Sequence, residues 1–237
     1  MKPDILGLIP ARGGSKGVRH KNRRLVAGRP LIQYTIDAAL ASTALTQVAV
    51  TTDDPEVADI ARRAGVLVVD RPADIAGDTS PVIDAVRHAD AALQARGLPA
   101  AQGIVLLQPT APLRTGADID AAVALFLDGG LNPVCSVSRC EDNHPARMYT
   151  VDGAGHLASL MPDLASMRRQ DLPAVYHRNG ALYIFGQREL ALGTIICPAM
   201  TPYVMDQQQS LNVDTEFDLV VLQAVLTQRL GAPANPA

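Results

Sequence analysis

Ile5-Leu6-Gly7-Leu8-Ile9-Pro10 runs straight into Ala11-Arg12-Gly13-Gly14-Ser15-Lys16-Gly17-Val18-Arg19-His20-Lys21-Asn22, an apolar stretch feeding a glycine-rich basic one. The apolar run is short and ends at proline, which reads as a buried strand. Gly13, Gly14 and Gly17 let the following loop turn sharply and aim backbone N–H groups inward. Such N–H groups, joined by Arg and Lys side chains, make an anion cradle. The loop is neither G-x-x-x-x-G-K-[ST] nor G-x-G-x-x-G, so a Walker loop and a dinucleotide fold are both disfavoured. A phosphate site directly after a strand is the reading that remains.

Outward from this loop the chain alternates. Pro30–Ala41 has helical spacing, with Leu31, Tyr34, Ala38 and Ala41 on one face. Gln47–Thr52 reads as a strand, and Asp53-Asp54-Pro55 opens a helix that Gly65 ends. Val66–Val69, Ile104–Leu107, Pro133–Val137 and Ala181–Phe185 are further strands; Asp84–Gln94, Ala117–Leu127 and Thr215–Leu230 are helices. Short loops between alternating strands and helices predict an α/β protein with a Rossmann-like, doubly wound, mostly parallel sheet. Ligands of such sheets bind at the carboxyl ends of the strands. The rhythm breaks between Arg139 and Arg178, where only Met148–Val151 and Gly155–Leu160 suggest a hairpin. The expected organisation is one α/β domain over residues 1–138 and 179–237, with 139–178 inserted as a small arm suited to a dimer contact. The tail from Gly231 is expected to fray.

The 237 residues are 48% hydrophobic and 19% charged, the balance of a folded protein with a sizeable core. Aromatics are only 3%, so base-stacking platforms are scarce, and the net charge of −3 argues against a nucleic-acid partner. The average conceals an asymmetry. Between Ile5 and Ile36 there is no Asp or Glu, yet Arg12, Lys16, Arg19, Lys21, Arg23, Arg24 and Arg29 all fall there. A local positive field on an acidic chain suits a small anionic ligand. Cys135, Cys140 and Cys197 are too few and too scattered for a disulfide framework or a zinc site. No secretory pattern or 18-residue apolar run is present, so a cytoplasmic protein without a membrane span is expected.

The loop resembles the ARxGSKGxxxKN signature of the acylneuraminate (CMP-sialic acid) cytidylyltransferase family. Four further segments match that family in order: Arg71-Pro72-Ala73-Asp74-Ile75-Ala76-Gly77-Asp78-Thr79, Leu106-Leu107-Gln108-Pro109-Thr110-Ala111-Pro112-Leu113-Arg114, Asn179-Gly180-Ala181-Leu182-Tyr183-Ile184 and Leu211-Asn212-Val213-Asp214-Thr215-Glu216. The likeness spans roughly positions 5 to 222. It implies a nucleotide-diphospho-sugar transferase type of fold. It also implies a reaction in which the anomeric hydroxyl of a nine-carbon 2-keto sugar acid attacks the α-phosphate of CTP, releasing pyrophosphate. Such transfer is mostly positioning and charge neutralisation.

On this resemblance Arg12 and Lys21 hold the triphosphate and offset its developing charge, with Asp214 as the third catalytic residue. The nucleotide cradle comprises Ala11, Arg12, Gly13, Gly14, Ser15, Lys16, Lys21 and Asn22, bordered by Arg71, Asp78 and Ser80. Lys16 is equally a rim charge, and a structural ion pair is the alternative for Arg71. Magnesium is the implied cofactor, with Asp214 and Asn212 as its candidate ligands. Where the family has D-x-D, this chain has Asn212, which can ligate through its carbonyl but cannot act as a base. Gln108, Arg147, Arg169, His177 and Tyr183 are the sugar-binding candidates. Arginine suits the sugar carboxylate because its fork binds in a bidentate way. His177 stands where the family often has arginine, with Arg178 shifted by one. Asp218 reads as helix N-terminal charge and Asp53-Asp54 as a helix cap. The implied partners are CTP, an acidic nine-carbon sugar and a second copy of the chain. Two other readings stand beside this one. A Kdo-type transferase, resembling IPARxxSxRLPxKP, is opposed by Gly14-Ser15-Lys16-Gly17 and Lys21-Asn22; a non-catalytic nucleotide binder is kept open by Asn212 and His177.

Overall fold

A computed structural model describes residues 3–15 and 17–231; Lys16 and the tail beyond Gly231 lie outside the described residues. In chain order the elements are β1 (Ile5–Pro10), β2 (Leu25–Val26), β3 (Arg29–Pro30), α1 (Leu31–Ala41), β4 (Gln47–Thr52), α2 (Pro55–Arg63), β5 (Leu67–Asp70), α3 (Val82–Ala95), β6 (Gly103–Leu106), α4 (Gly116–Asp128), β7 (Val134–Arg139), β8 (Tyr149–Val151), β9 (Leu157–Ser159), β10 (Tyr176–Phe185), α5 (Gln187–Leu192), β11 (Thr201–Val204) and α6 (Glu216–Gly231).

Seven strands form the central sheet in the order β11-β7-β10-β6-β1-β4-β5. All of its pairings are parallel except those of β10, which runs antiparallel to both β6 and β7. The apolar run of β1 is explained by burial on both faces. Ile5 and Ile9 join the core with Ile32 and Ile36 of α1, Val57 of α2 and Phe126 of α4. Leu6 and Leu8 join the opposite core with Val86 and Leu93 of α3 and Leu190 of α5. A third cluster packs Leu219 and Leu222 of α6 on Val18, Leu31 and Val213. Helices therefore lie on both faces of a mostly parallel sheet, as expected.

Some elements differ from the sequence reading. β10 begins at Tyr176, inside the stretch assigned to the arm, and pairs there with Arg139. The excursion thus starts after β7 and closes where the Cys140 N–H donates to the Val175 carbonyl at 2.8 Å. It holds the two-stranded hairpin β8–β9. β2–β3, α5 and β11 were not expected, because two- to six-residue elements carry too little periodicity to register.

Candidate active site

Pro10 at the end of β1, Arg71 after β5 and Gln108-Pro109-Thr110 after β6 open onto one cleft of about 430 Å³. That is within the usual size for a small-molecule site, about 300–1,000 Å³. Arg12, Gly14, Ser15, Lys21 and Asn22 form one wall; Gly77, Asp78 and Ser80 form another; Asn212 and Asp214 close the third side.

The glycine loop is held from behind. Thr52 donates its hydroxyl to the Ala11 carbonyl, and the Ala11 N–H donates to the Thr51 carbonyl at 3.0 Å. Asn22 Nδ2 donates to the Arg12 carbonyl at 2.9 Å. The Gly13 N–H donates to Asp53 Oδ1 at 2.8 Å. Asp53 and Asp54 therefore do different work. Asp54 caps α2, its side chain accepting from the Glu56 and Val57 N–H groups, whereas Asp53 fastens the loop.

The Asn212–Asp214 segment is pinned on every side. The Val213 N–H donates to the Thr110 carbonyl at 2.7 Å, and its side chain is buried under α6. Asp218 accepts from the Asp214 and Thr215 N–H groups at 2.9 and 2.7 Å. Those backbone bonds hold its carboxyl below the usual range. With Val213 buried, alternation brings Asn212 and Asp214 to the same side, and Asn212 Nδ2 donates to Asp214 Oδ2 at 2.6 Å. Lys21 Nζ reaches Asp214 Oδ1 at 3.0 Å and the Val213 carbonyl at 2.8 Å. Across the cleft, Arg12 Nη1 donates to the Gly77 carbonyl at 2.6 Å and Nη2 meets Asp78 Oδ1 at 2.9 Å. Arg71 is only 9% exposed and donates to the Thr51 carbonyl at 2.8 Å. Burial pushes its pKa down, Asp53 opposes the shift, and Arg12 adds to it.

Arg12, Gly14, Ser15, Lys21, Asn22, Arg71, Asp78, Ser80, Gln108, Asn212 and Asp214 meet in this cleft. The remaining candidates do not. Ala11 is fully buried beneath the loop, and the Gly13 N–H is spent on Asp53 rather than aimed inward. Tyr183 belongs to the core beside Cys135 at 7% exposure, because the alternation of β10 turns it towards the α3 face. Burial raises the pKa of its phenol. Arg147 lies exposed in the excursion. Arg169 lines a separate cavity of about 310 Å³ and pairs with Asp142 at 2.9 Å. His177 sits before the β10 irregularity, beside Ser138 at 3.3 Å and Cys140 at 3.5 Å. Lys16 lies outside the described residues.

The sequence reading missed Arg114 and the geometry of Gly180. Gly180 has φ +71°, and a Cβ there would stand 3.1 Å from Gln108 Oε1 and 3.9 Å from Asn212 Oδ1. This turn causes the register shift between Arg178 and Tyr183. The Asn179 side chain secures it, accepting from Ser136 Oγ at 2.6 Å and donating to Ser210 Oγ at 2.9 Å. Arg114, 3% exposed, donates to the Ala181 carbonyl, to the Gln108 carbonyl at 3.4 Å and to Thr35 Oγ1 at 2.8 Å. It ties the Gln108 turn to the Gly180 kink. Burial pushes its pKa down to about 9, so it stays charged at neutral pH. Arg114→Met leaves buried carbonyls unpaired and is expected to cost about 2 kcal/mol, read as a lowered urea midpoint with unchanged slope.

Among the described residues no three His, Cys, Asp or Glu side chains stand close enough to hold a metal unaided. Asp214 carries a carboxylate and Asn212 an amide carbonyl, a hard donor set that suits magnesium, although here it is the Asn212 Nδ2 that faces Asp214 Oδ2. No helix of the described residues is long and apolar enough to cross a membrane.

A family model described as Cytidylyltransferase matches residues 6–224. The N-acylneuraminate cytidylyltransferase of Escherichia coli O18:K1:H7 is 32% identical over 220 residues, 92% of this chain and 51% of that protein. The CMP-N,N'-diacetyllegionaminic acid synthase of Legionella pneumophila is 33% identical over 227 residues, 94% of this chain and 96% of that protein. The chain thus spans about half the length of such N-acylneuraminate cytidylyltransferases and nearly all of the legionaminic acid enzyme. A structure of CMP:2-keto-3-deoxy-manno-octonic acid synthetase complexed with CTP superposes with a TM-score of 0.71. It covers 95% of this chain and 99% of that one, and at 17% identity the likeness is one of fold.

Proposed function

The chain belongs to the cytidylyltransferase family, and from that premise we propose that it joins CTP to a nine-carbon 2-keto sugar acid, giving a CMP-sugar and pyrophosphate. The observation that carries this reading is the convergence of the Arg12 loop, Gln108 and the Asn212–Asp214 segment on one cleft. The names of the Escherichia coli and Legionella relatives support a nine-carbon acid over a Kdo-type substrate. So does the Gly13–Gly17 loop followed by Lys21-Asn22.

In this reading the anomeric hydroxyl loses its proton to solvent and its oxygen forms a bond to the α-phosphorus as the bond to the bridging oxygen of pyrophosphate breaks. Arg12 and Lys21 take up the charge that builds on the leaving pyrophosphate. Gly14 and Ser15 line the loop beside the phosphates, and Asn22 keeps the Arg12 backbone in place. Arg71 and Ser80 border the nucleoside. Gln108 orients the sugar. Asp214 and Asn212 would hold magnesium, which would supply a Lewis acid to offset phosphate charge. Asn212 cannot accept a proton, so Asp214 works without a carboxylate partner at that position.

Homodimerisation through the hairpin belongs to the same reading. Val151 and Leu157 on β8–β9 are 68% and 70% exposed, an apolar surface that a second copy would cover. Arg147 and Arg169 belong to this excursion, so their proposed contact with the sugar carboxylate depends on that assembly. Sedimentation at micromolar concentration should show about twice the 25.0 kDa chain mass; a lone 25 kDa species contradicts it. Three free cysteines among the described residues support a reducing, cytoplasmic setting.

The test is pyrophosphate release with magnesium, offering CTP, UTP, GTP and ATP against sialic, legionaminic, pseudaminic and Kdo acids. Release is expected only with CTP and a nine-carbon acid, and is abolished by EDTA. Release with Kdo alone transfers the chain to the eight-carbon reaction. Silence from folded, CTP-binding protein favours the non-catalytic binder.

A further inference from the structure

Among the described residues, Arg12 and Lys21, the cations read as facing the phosphates, each have a carboxylate partner before any ligand arrives. Lys21 lies on Asp214 and Arg12 lies on Asp78, at 3.0 and 2.9 Å. The two carboxylates differ in what they can do next. Asp214 has Asn212 beside it and a proposed metal to hold, so ligand binding gives its charge new work. Asp78 sits in the turn that leads from Gly77 to α3, facing Arg12 across the cleft. A carboxylate is a poor ligand for a triphosphate, because like charges repel. Its placement against a phosphate-binding arginine therefore calls for another role.

We propose that Asp78 is an internal phosphate surrogate, which occupies Arg12 in the empty cleft and competes with the triphosphate and with departing pyrophosphate. The proposal rests on the reading of the cleft as a CTP site. Physically, the carboxylate and the Gly77 carbonyl engage both ends of the Arg12 fork. They hold the guanidinium extended across the cleft rather than free to wander in solvent. A phosphate oxygen that replaces Asp78 inherits an oriented donor. The exchange weakens ground-state binding of every phosphate ligand by a similar factor. Weak ground-state binding leaves turnover intact and speeds product departure. The pair is partly exposed, with side-chain accessibilities of 30% and 43%, so the factor is modest.

Asp78→Asn removes the charge and keeps the size. The Kd of magnesium–CTP, measured by calorimetry, and the inhibition constant of inorganic pyrophosphate should both fall, each by about three- to tenfold. Asp78→Glu, which keeps the charge, should leave both near the parent values. A purely structural role predicts the opposite sign, with weaker binding in Asp78→Asn and a lowered melting temperature. Equal or weaker binding by Asp78→Asn, with the parent protein binding CTP normally, overturns the surrogate role. A parent protein that binds no CTP overturns the reading of the cleft itself, and the two failures are thereby separate.

Discussion

Asp214→Ala is expected to lower kcat by about a thousandfold while CTP still binds. Asp214 is the one carboxylate that reaches the cleft from the segment before α6, and both of its oxygens are in use. One accepts from Lys21 at 3.0 Å and the other from Asn212 at 2.6 Å. Truncation removes the proposed anionic metal ligand and takes the carboxylate from Lys21, which keeps its bond to the Val213 carbonyl. Neither loss empties the cleft wall formed by Arg12, Asn22 and Arg71, so affinity for CTP should change far less than turnover. Rates of pyrophosphate release set beside calorimetric CTP binding make the comparison. A variant within tenfold of the parent rate would remove Asp214 from the mechanism.

Gly17→Ala should cost about a hundredfold in kcat/KM, although the new side chain is a single methyl group. A Cβ at this position would run into the Asp214 carbonyl oxygen and stand 3.2 Å from its carbonyl carbon. Both atoms are backbone, and that backbone is already fixed by the N–H bonds that Val213 and Asp214 donate to the Thr110 carbonyl and Asp218, so it cannot give way freely. Either the glycine loop or Asp214 must shift by about 1 Å, and a misplacement of that size can cost such a factor. Gly153 in the hairpin has open space around its Cβ position, so Gly153→Ala should leave both stability and rate unchanged. Full activity in Gly17→Ala would mean that loop and Asp214 need not be held in register.

The strand–helix alternation was legible because the strands of a buried parallel sheet are apolar throughout. β1 places Ile5 and Ile9 in one core and Leu6 and Leu8 in the other, and nothing but a doubly covered strand needs that pattern. The cleft residues of the glycine loop, Gln108 and Asp214 were legible from the motifs that contain them. What stayed hidden were properties of pairing. Tyr183 lies in a matched motif, yet its side chain faces the core, because the shift after Arg178 sets its direction and no spacing in the sequence reveals that shift. Asp53 looked like half of a capping pair; its bond to Gly13 joins positions forty residues apart. Arg114 sat at the end of a quoted motif without a role, because two of its acceptors are backbone carbonyls that carry no residue type and the third, Thr35, lies far away in sequence. The β8–β9 hairpin was legible in the irregular stretch, but the start of β10 was not, since it is polar and exposed at Tyr176, His177 and Arg178.

The proposed reaction requires that phosphorus pass from CTP to a sugar oxygen. Phosphorus NMR of CTP, magnesium and a nine-carbon 2-keto acid, with the chain added last, tests it most directly. A single phosphodiester resonance of the CMP-sugar, growing in equal amount with pyrophosphate as the CTP signals fall, is the predicted result. CDP with orthophosphate, or free CMP with pyrophosphate and no phosphodiester, would show that water rather than the sugar accepts the transfer, and would contradict the account.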